Sequence, residues 1–339
     1  MQVPVLPESI AAIARTVLYE GYILWPYRRS ALKNQQRWTF GGVFPRAYSS
    51  IHPDDASAMR TECLLVGDAQ TSVFVRVHFL HVLDRLIARL EGSDLTFVDD
   101  LDFEDMRYTR WQEATERVVV CPPFQVGRDL QPLNVPVVVE GGEMREWLGD
   151  GHDHAAAVIR RWQGIYGTVT ITAEALRDGL FRIAVNIRND SPWHGEQRTQ
   201  VMLRTMVSTH TILQTRHGAF VSLIDPPAEY REAAAQCRNV GAWPVLVGER
   251  GTRDAILSSP IILYDHPQVA PESPGDFFDA AEIDQLMIMS ILGMSPAEQN
   301  AMAETDASTR NILERCRGLS QEQLSQLYGT IRGLRRVEE

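Results

Sequence analysis

Residues Tyr166 to Asp190 read YGTVTITAEALRDGLFRIAVNIRND. Val169, Ile171 and Ala173 alternate with threonines, and Phe181, Ile183, Val185 and Ile187 alternate with polar residues further on. A period of two sets the apolar side chains of each run on one face, the pattern of a half-buried strand. Asp178-Gly179 separates the runs, and glycine accepts the left-handed backbone that a tight hairpin turn needs. The stretch predicts an antiparallel sheet with one apolar face.

Working outward, SVFVRVHF (Ser72–Phe79) sets Val73, Val75, Val77 and Phe79 against Phe74, Arg76 and His78 and predicts a further strand. VLDRLIARL (Val82–Leu90) has helical spacing, and DLTFVDDLDFED (Asp94–Asp105) reads as an acidic surface loop. Upstream, Ile10, Ile13, Val17 and Leu18 predict a helix over Ser9–Tyr22, with Ser9 placed to cap it and Pro26 to stop it. Ser30–Arg37 predicts a short turn of helix, and TFGGVFP (Thr39–Pro45) extended chain.

Downstream, YREAAAQC (Tyr230–Cys237) predicts a short helix ahead of the apolar run WPVLVG (Trp243–Gly248). The end reads as helical: Ile283, Leu286, Met287, Ile291 and Met294 form a stripe, and Ser295–Glu298 and Ser320–Gln323 are capping boxes. Strands followed by helices favour an α+β fold, with a sandwich-like antiparallel region between an N-terminal helix and a C-terminal helical segment. The expected divisions are 1–134, an N-terminal α/β region; 135–225, the antiparallel region; and 226–339, a proline-rich acidic loop and helices. The three can also form one compact unit.

The formal charge of -11 argues against nonspecific nucleic-acid binding, which needs a dominant positive face. No apolar run approaches the ~20 residues that span a bilayer, and the N-terminus lacks a basic start ahead of an apolar block. The expectation is a cytoplasmic chain without membrane insertion. Cys63, Cys121, Cys237 and Cys316 are scattered, none at C-x-x-C spacing, and most of them read as buried thiols.

Charge is segregated along the chain. From Gly21 to Pro53 there are five basic groups and no acid, whereas Asp254 to Thr309 holds ten acids and no lysine or arginine. The basic stretch interleaves Arg28, Arg29, Lys33 and Arg37 with Tyr22, Trp25 and Tyr27, and Lys33 is the chain's one lysine. The acidic stretch places Asp265, His266, Glu272, Asp276 and Asp279 on a segment stiffened by Pro267, Pro271 and Pro274. Stiff segments cost less to order around a partner. Opposite charges of this kind can instead lie against each other within one molecule.

Catalytic and metal signatures are sparse. A Walker A loop is excluded because no lysine follows a suitable glycine run, and neither G-x-S-x-G nor H-E-x-x-H occurs. His152-Asp153-His154 has a spacing that metals accept but reads as a solvated loop, and no metal site is expected. His78 and His81 fit the end of a strand, and His210 in STHTIL fits a hydrogen-bonded core position. The sequence specifies no cofactor.

Three long stretches carry a resemblance: YEGYILWPYRRSALKNQQRWTFGGVFP (Tyr19–Pro45), STHTIL (Ser208–Leu213) and LSSPIILYDHPQVAPESPGDFFDAAEIDQ (Leu257–Gln285). They resemble a family of bacterial proteins encoded beside nickel-iron hydrogenase structural and maturation genes. The resemblance implies an accessory or assembly role in such a system, with a hydrogenase subunit or maturation factor as partner, and it carries over no catalytic residue. The expected contact surface joins Tyr22, Trp25, Tyr27, Arg28, Arg29, Lys33 and Arg37 to the acidic segment, since aromatic and arginine side chains dominate interaction hot spots. The alternative is a small-molecule enzyme with Lys33 as nucleophile or acid/base in a pocket between those segments, its pKa lowered by the neighbouring arginines.

Overall fold

The computed structural model describes residues 3–19, 40–92, 94–104, 106–127, 131–149, 156–195 and 197–268, together with 299, 310, 313, 314, 317 and 318. The chain divides into two compact units, Met1–Tyr22 with Trp38–Gln268, and Ile23–Arg37 with Val269–Glu339. In the second, Leu313 is buried and Arg317 donates to Gln299 Oε1 at 2.8 Å. The stripe and capping boxes read at the C-terminal end lie outside the described residues, as does Ser30–Arg37.

The first unit is an antiparallel sheet with a few helices, the α+β class expected. Helix α1 (Glu8–Tyr19) opens it and α2 (Arg46–Ser49) follows. The first strands are β1 (Ala58–Glu91), β2 (Asp94–Val98), β3 (Asp100–Phe103), β4 (Met106–Thr109), β5 (Trp111–Val120) and β6 (Phe124–Gln125). Next come β7 (Leu133–Val139), β8 (Gly142–Leu148), β9 (Ala156–Trp162), β10 (Ile165–Arg177) and β11 (Leu180–Asn189). After α3 (Arg198–Val201), β12 (Val207–Val221) leads to α4 (Arg231–Ala235), β13 (Trp243–Leu246) and β14 (Ala255–Ser259). No helix among the described residues is long and apolar enough to cross a membrane.

The diagnostic hairpin forms as read. Val169 faces Ile187, Ile171 faces Val185 and Ala173 faces Ile183 across β10 and β11, and Gly179 turns the chain at φ +71°. From that ribbon the sheet continues in the order β13-β14-β12-β1-β11-β10-β7. Strand β1 is the hub: its start pairs β11, its middle pairs β12 on one side and β5 and β6 on the other, and its end pairs β9 and β2. Between Gly67 and Ser72 the register with β12 shifts. A Cβ on Gly67 would come within 2.3 Å of Thr71 Oγ1, so only glycine fits that approach. Met59, Cys63 and Leu65 before the shift, and Val73, Val75, Val77 and Phe79 after it, line one core with the apolar residues of β10, β11 and β12.

Several expectations need correction. Val82–Leu90 is the end of β1, not a helix. Ile87 packs with Leu101, Leu148 and Val158, while Ala88 packs with Ala157 and Ile159, so neighbouring residues are buried on opposite faces. A short apolar run covered on both faces mimics helical spacing. Its charges find partners: Arg85 donates to Glu113 Oε1 at 2.9 Å, and Gln112 donates to Asp84 at 3.1 Å. The acidic stretch after it is also not a loop. It forms β2 and β3, whose Leu95 and Leu101 reach apolar clusters while the intervening acids are exposed.

The predicted cap is shifted too. Helix α1 begins at Glu8, and the Pro7 carbonyl accepts from the N–H groups of Ile10 and Ala11 at 3.0 and 2.9 Å, which leaves Ser9 inside the first turn. Ile10, Ile13, Val17 and Leu18 are buried as their spacing predicts.

Candidate functional site

Tyr22, Trp25, Tyr27, Arg28, Arg29, Lys33 and Arg37 lie outside the described residues, as do Glu272, Asp276, Asp279 and His152 to His154. Asp265 and His266 are described, and both are tied down. The Asp265 carboxylate accepts from the Leu246 N–H at 2.8 Å through Oδ1 and from the Ser222 hydroxyl through Oδ2. The His266 N–H donates to the Leu246 carbonyl at 2.7 Å, and its Nδ1 lies 3.3 Å from the Gly248 carbonyl. Both backbone groups of Leu246 are thus satisfied by the segment after β14, at the end of β13.

The stretch between β14 and Asp265 is held at its start as well. Ser259 Oγ donates to the Ile261 carbonyl at 2.7 Å. Gly41, at φ +60°, backs onto Pro260 so closely that a Cβ there would sit 2.5 Å from the ring. Between these anchors Ile262 and Tyr264 are 75% and 83% exposed. The alternation is that of an extended strip with one side pinned to the sheet and one side facing water. An exposed tyrosine and isoleucine on a fixed backbone give contact area at little further cost in ordering.

STHTIL occupies the start of β12 and forms a bulge. His78 on β1 is directly opposite His210 and Leu80 opposite Val207, so Ser208 and Thr209 together face Phe79 alone. Ser208 takes φ +51°, a conformation that costs a non-glycine residue ~1–2 kcal/mol. The Thr209 N–H donates to the Gly41 carbonyl at 3.0 Å, and Ser208 Oγ donates to the Val17 carbonyl of α1 at 3.3 Å.

The bulge sets two imidazoles side by side. The His78 and His210 rings are nearly parallel, 11° apart, with centroids separated by 5.3 Å. His210 Nδ1 lies 3.1 Å from the Ser208 carbonyl and donates to it when protonated, which leaves Nε2 as the bare acceptor. That Nε2 and His78 Nε2 are both buried without a hydrogen-bond partner. Burial, with the Arg76 charge behind it, pushes the His78 pKa down to about 4. Burial, with His78 adjacent, pushes that of His210 down to about 3. Both rings are neutral at pH 7.

His210 is therefore the core histidine that the sequence suggests, but its partner was not legible. His78 stands in an alternating run and His210 among hydroxyl residues, and only the register of β1 against β12 brings them together. His81 lies inside β1, its Nε2 3.3 Å from the Leu203 carbonyl, and burial lowers its pKa to about 4. Cys63 and Cys121 are buried thiols, and burial raises the pKa of Cys121 to about 12. Cys237 is half-buried, with its pKa also raised by burial, and Cys316 lies outside the described residues. Among the described residues no group of three or more His, Cys, Asp or Glu side chains is placed to hold a metal ion.

No protein-family model matches the chain, and no curated protein matches it.

Proposed function

We propose that this protein acts by binding another protein, as an accessory or assembly factor of a nickel-iron hydrogenase system, and that the strip Ile261–His266 is part of its contact surface. The observation that carries the reading is the display of Ile262 and Tyr264 on a backbone pinned through Asp265 and His266. Large side chains presented without further ordering are the usual anchors of an interface. The partner class, a hydrogenase subunit or maturation factor, comes from the resemblance of the three long sequence stretches, one of which contains this strip.

In this reading Asp265 and His266 are supports and not contacts: they bind the ends of β12 and β13 through Ser222 and Leu246, and truncating them would loosen the strip. Lys33 supplies charge, so Lys33→Arg keeps partner capture with modest loss, whereas lysine chemistry would not survive the exchange. The test is affinity purification of the tagged chain from its native host while the hydrogenase is being made. Co-purification of a hydrogenase subunit or maturation factor is expected. Recovery of the chain without any such component would contradict the role.

A further inference from the structure

Helix α1 lies over the face of the sheet that carries the histidine pair. Leu18 packs with Leu80, Val82, Leu203 and Val207, and Ser208, whose carbonyl holds His210, donates its hydroxyl to Val17. Two imidazoles with bare, buried nitrogens do not suit a cation here: a third protein ligand is absent among the described residues, and the Arg76 guanidinium acts on His78. Burying two such nitrogens unpaired costs stability, and burying a charge on either would cost more, so a proton is taken up only where the ring reaches water.

We propose that the His78–His210 pair is an acid-sensitive latch on the C-terminal turn of α1: the helix stays seated while both rings are neutral and lifts when they take up protons. The charged and titratable groups on the elements around the pair include Arg76 and His81 on β1, Glu116 and Arg117 on β5, Arg216 on β12 and Arg204 just before it, with Glu8 and Arg15 on α1. No carboxylate hydrogen-bonds either ring among the described residues, and Arg204 donates to Gln163. The Arg76 charge opposes an imidazolium at His78. A proton on one ring would face its neighbour at 5.3 Å, and a second would add like-charge repulsion. The bulge at Ser208 couples this to the helix, because the residue that orients His210 is the one that grips Val17.

The size of the effect follows from linkage. With α1 lifted, each ring titrates near its ordinary pKa of about 6.5; with α1 seated, it stays neutral well below pH 5. Going from pH 7 to pH 5 then multiplies the opening constant of α1 roughly twentyfold for the first proton and by a smaller further factor for the second, which faces a charged neighbour.

Hydrogen exchange followed by mass spectrometry at the two pH values, corrected for intrinsic rates, measures that constant directly. The α1 amides from Ile13 to Leu18 are expected to open more readily than those of the β10–β11 hairpin at both pH values, and to gain at least twentyfold at pH 5. His78→Gln and His210→Gln should each reduce the gain to about twentyfold, and the double variant should leave α1 indifferent to pH. Should His210→Gln fail to fold, His78→Gln beside the wild type still decides. A gain below about tenfold, equal opening constants for α1 and the hairpin at pH 5, or an undiminished pH response in His78→Gln would overturn the latch.

Discussion

Two of the stretches that stand out in the sequence take opposite positions in the fold. Ser208–Leu213 turns inward: every residue of it is buried, and its bulge joins β12 to β1 and α1. Ile261–His266 turns outward, pinned at Asp265 and His266 and exposing Ile262 and Tyr264. Each stretch depends on a non-glycine residue in the left-handed region, Ser208 at +51° and His266 at +54°. Backbone strain of that kind persists only where surrounding contacts over-determine it. In one case those contacts hold a helix, and in the other they present side chains, so an unusual local sequence does not by itself tell a hidden function from a displayed one.

The contrast can be broken from the inside first. Phe79→Ala removes a fully buried ring opposite the bulge and should cost ~3–5 kcal/mol in urea denaturation, the largest effect expected of a single substitution discussed here. A cost near zero would mean that the core around β1 is not packed as described. Acid is next. His78 and His210 have folded pKa values below the unfolded one, so the stability that neutral rings contribute is complete above about pH 6.5 and is lost as pH falls toward the folded values. With His81, whose folded pKa is also lowered to about 4, denaturation at pH 5 should show ~5 kcal/mol less stability than at pH 7. His78→Leu, which replaces an unpaired nitrogen with apolar surface, should be near-neutral at pH 7 and cut the acid loss by about a third.

The hairpin turn gives a smaller effect. Gly179→Ala forces a Cβ into φ +71° and should cost ~1–2 kcal/mol, read as a lowered denaturation midpoint without a change of slope. Least of all, Ile262→Ser combined with Tyr264→Ser should change stability by under ~0.5 kcal/mol, because both side chains face water. A large loss of stability from that pair would show that these side chains are structural and not on display.

What the sequence discloses follows the range of its signals. Alternation over Tyr166–Asp190 with Asp-Gly between the runs is local, and the hairpin formed in that register. The helical spacing of Ile10, Ile13, Val17 and Leu18 is also local, and those residues are the buried face of α1. Val82–Leu90 misled because a strand buried on both faces loses its period of two, and the strands it pairs with, β5 and β9, come later in the chain. The acids of Asp94–Asp105 masked two strands, whose apolar members Leu95, Val98, Leu101 and Phe103 are interleaved with exposed carboxylates. Of the candidate contact residues, chemistry singled out Asp265 and His266, but carboxylate and imidazole types do not reveal whether they meet a partner or the chain's own backbone. Their neighbours Ile262 and Tyr264 read as ordinary apolar residues, and only their exposure marks them.

The display of Tyr264 is tested most directly by placing a photoreactive benzophenone residue at position 264 and, as a control, at position 120, where Val120 is also exposed but lies on β5. Both proteins are irradiated in the native host while its hydrogenase is being made, and adducts are identified by mass spectrometry. Position 264 should yield an adduct with a hydrogenase subunit or maturation factor and position 120 should not. Absence of an adduct at 264, or equal yields from the two positions, would contradict the proposed contact surface.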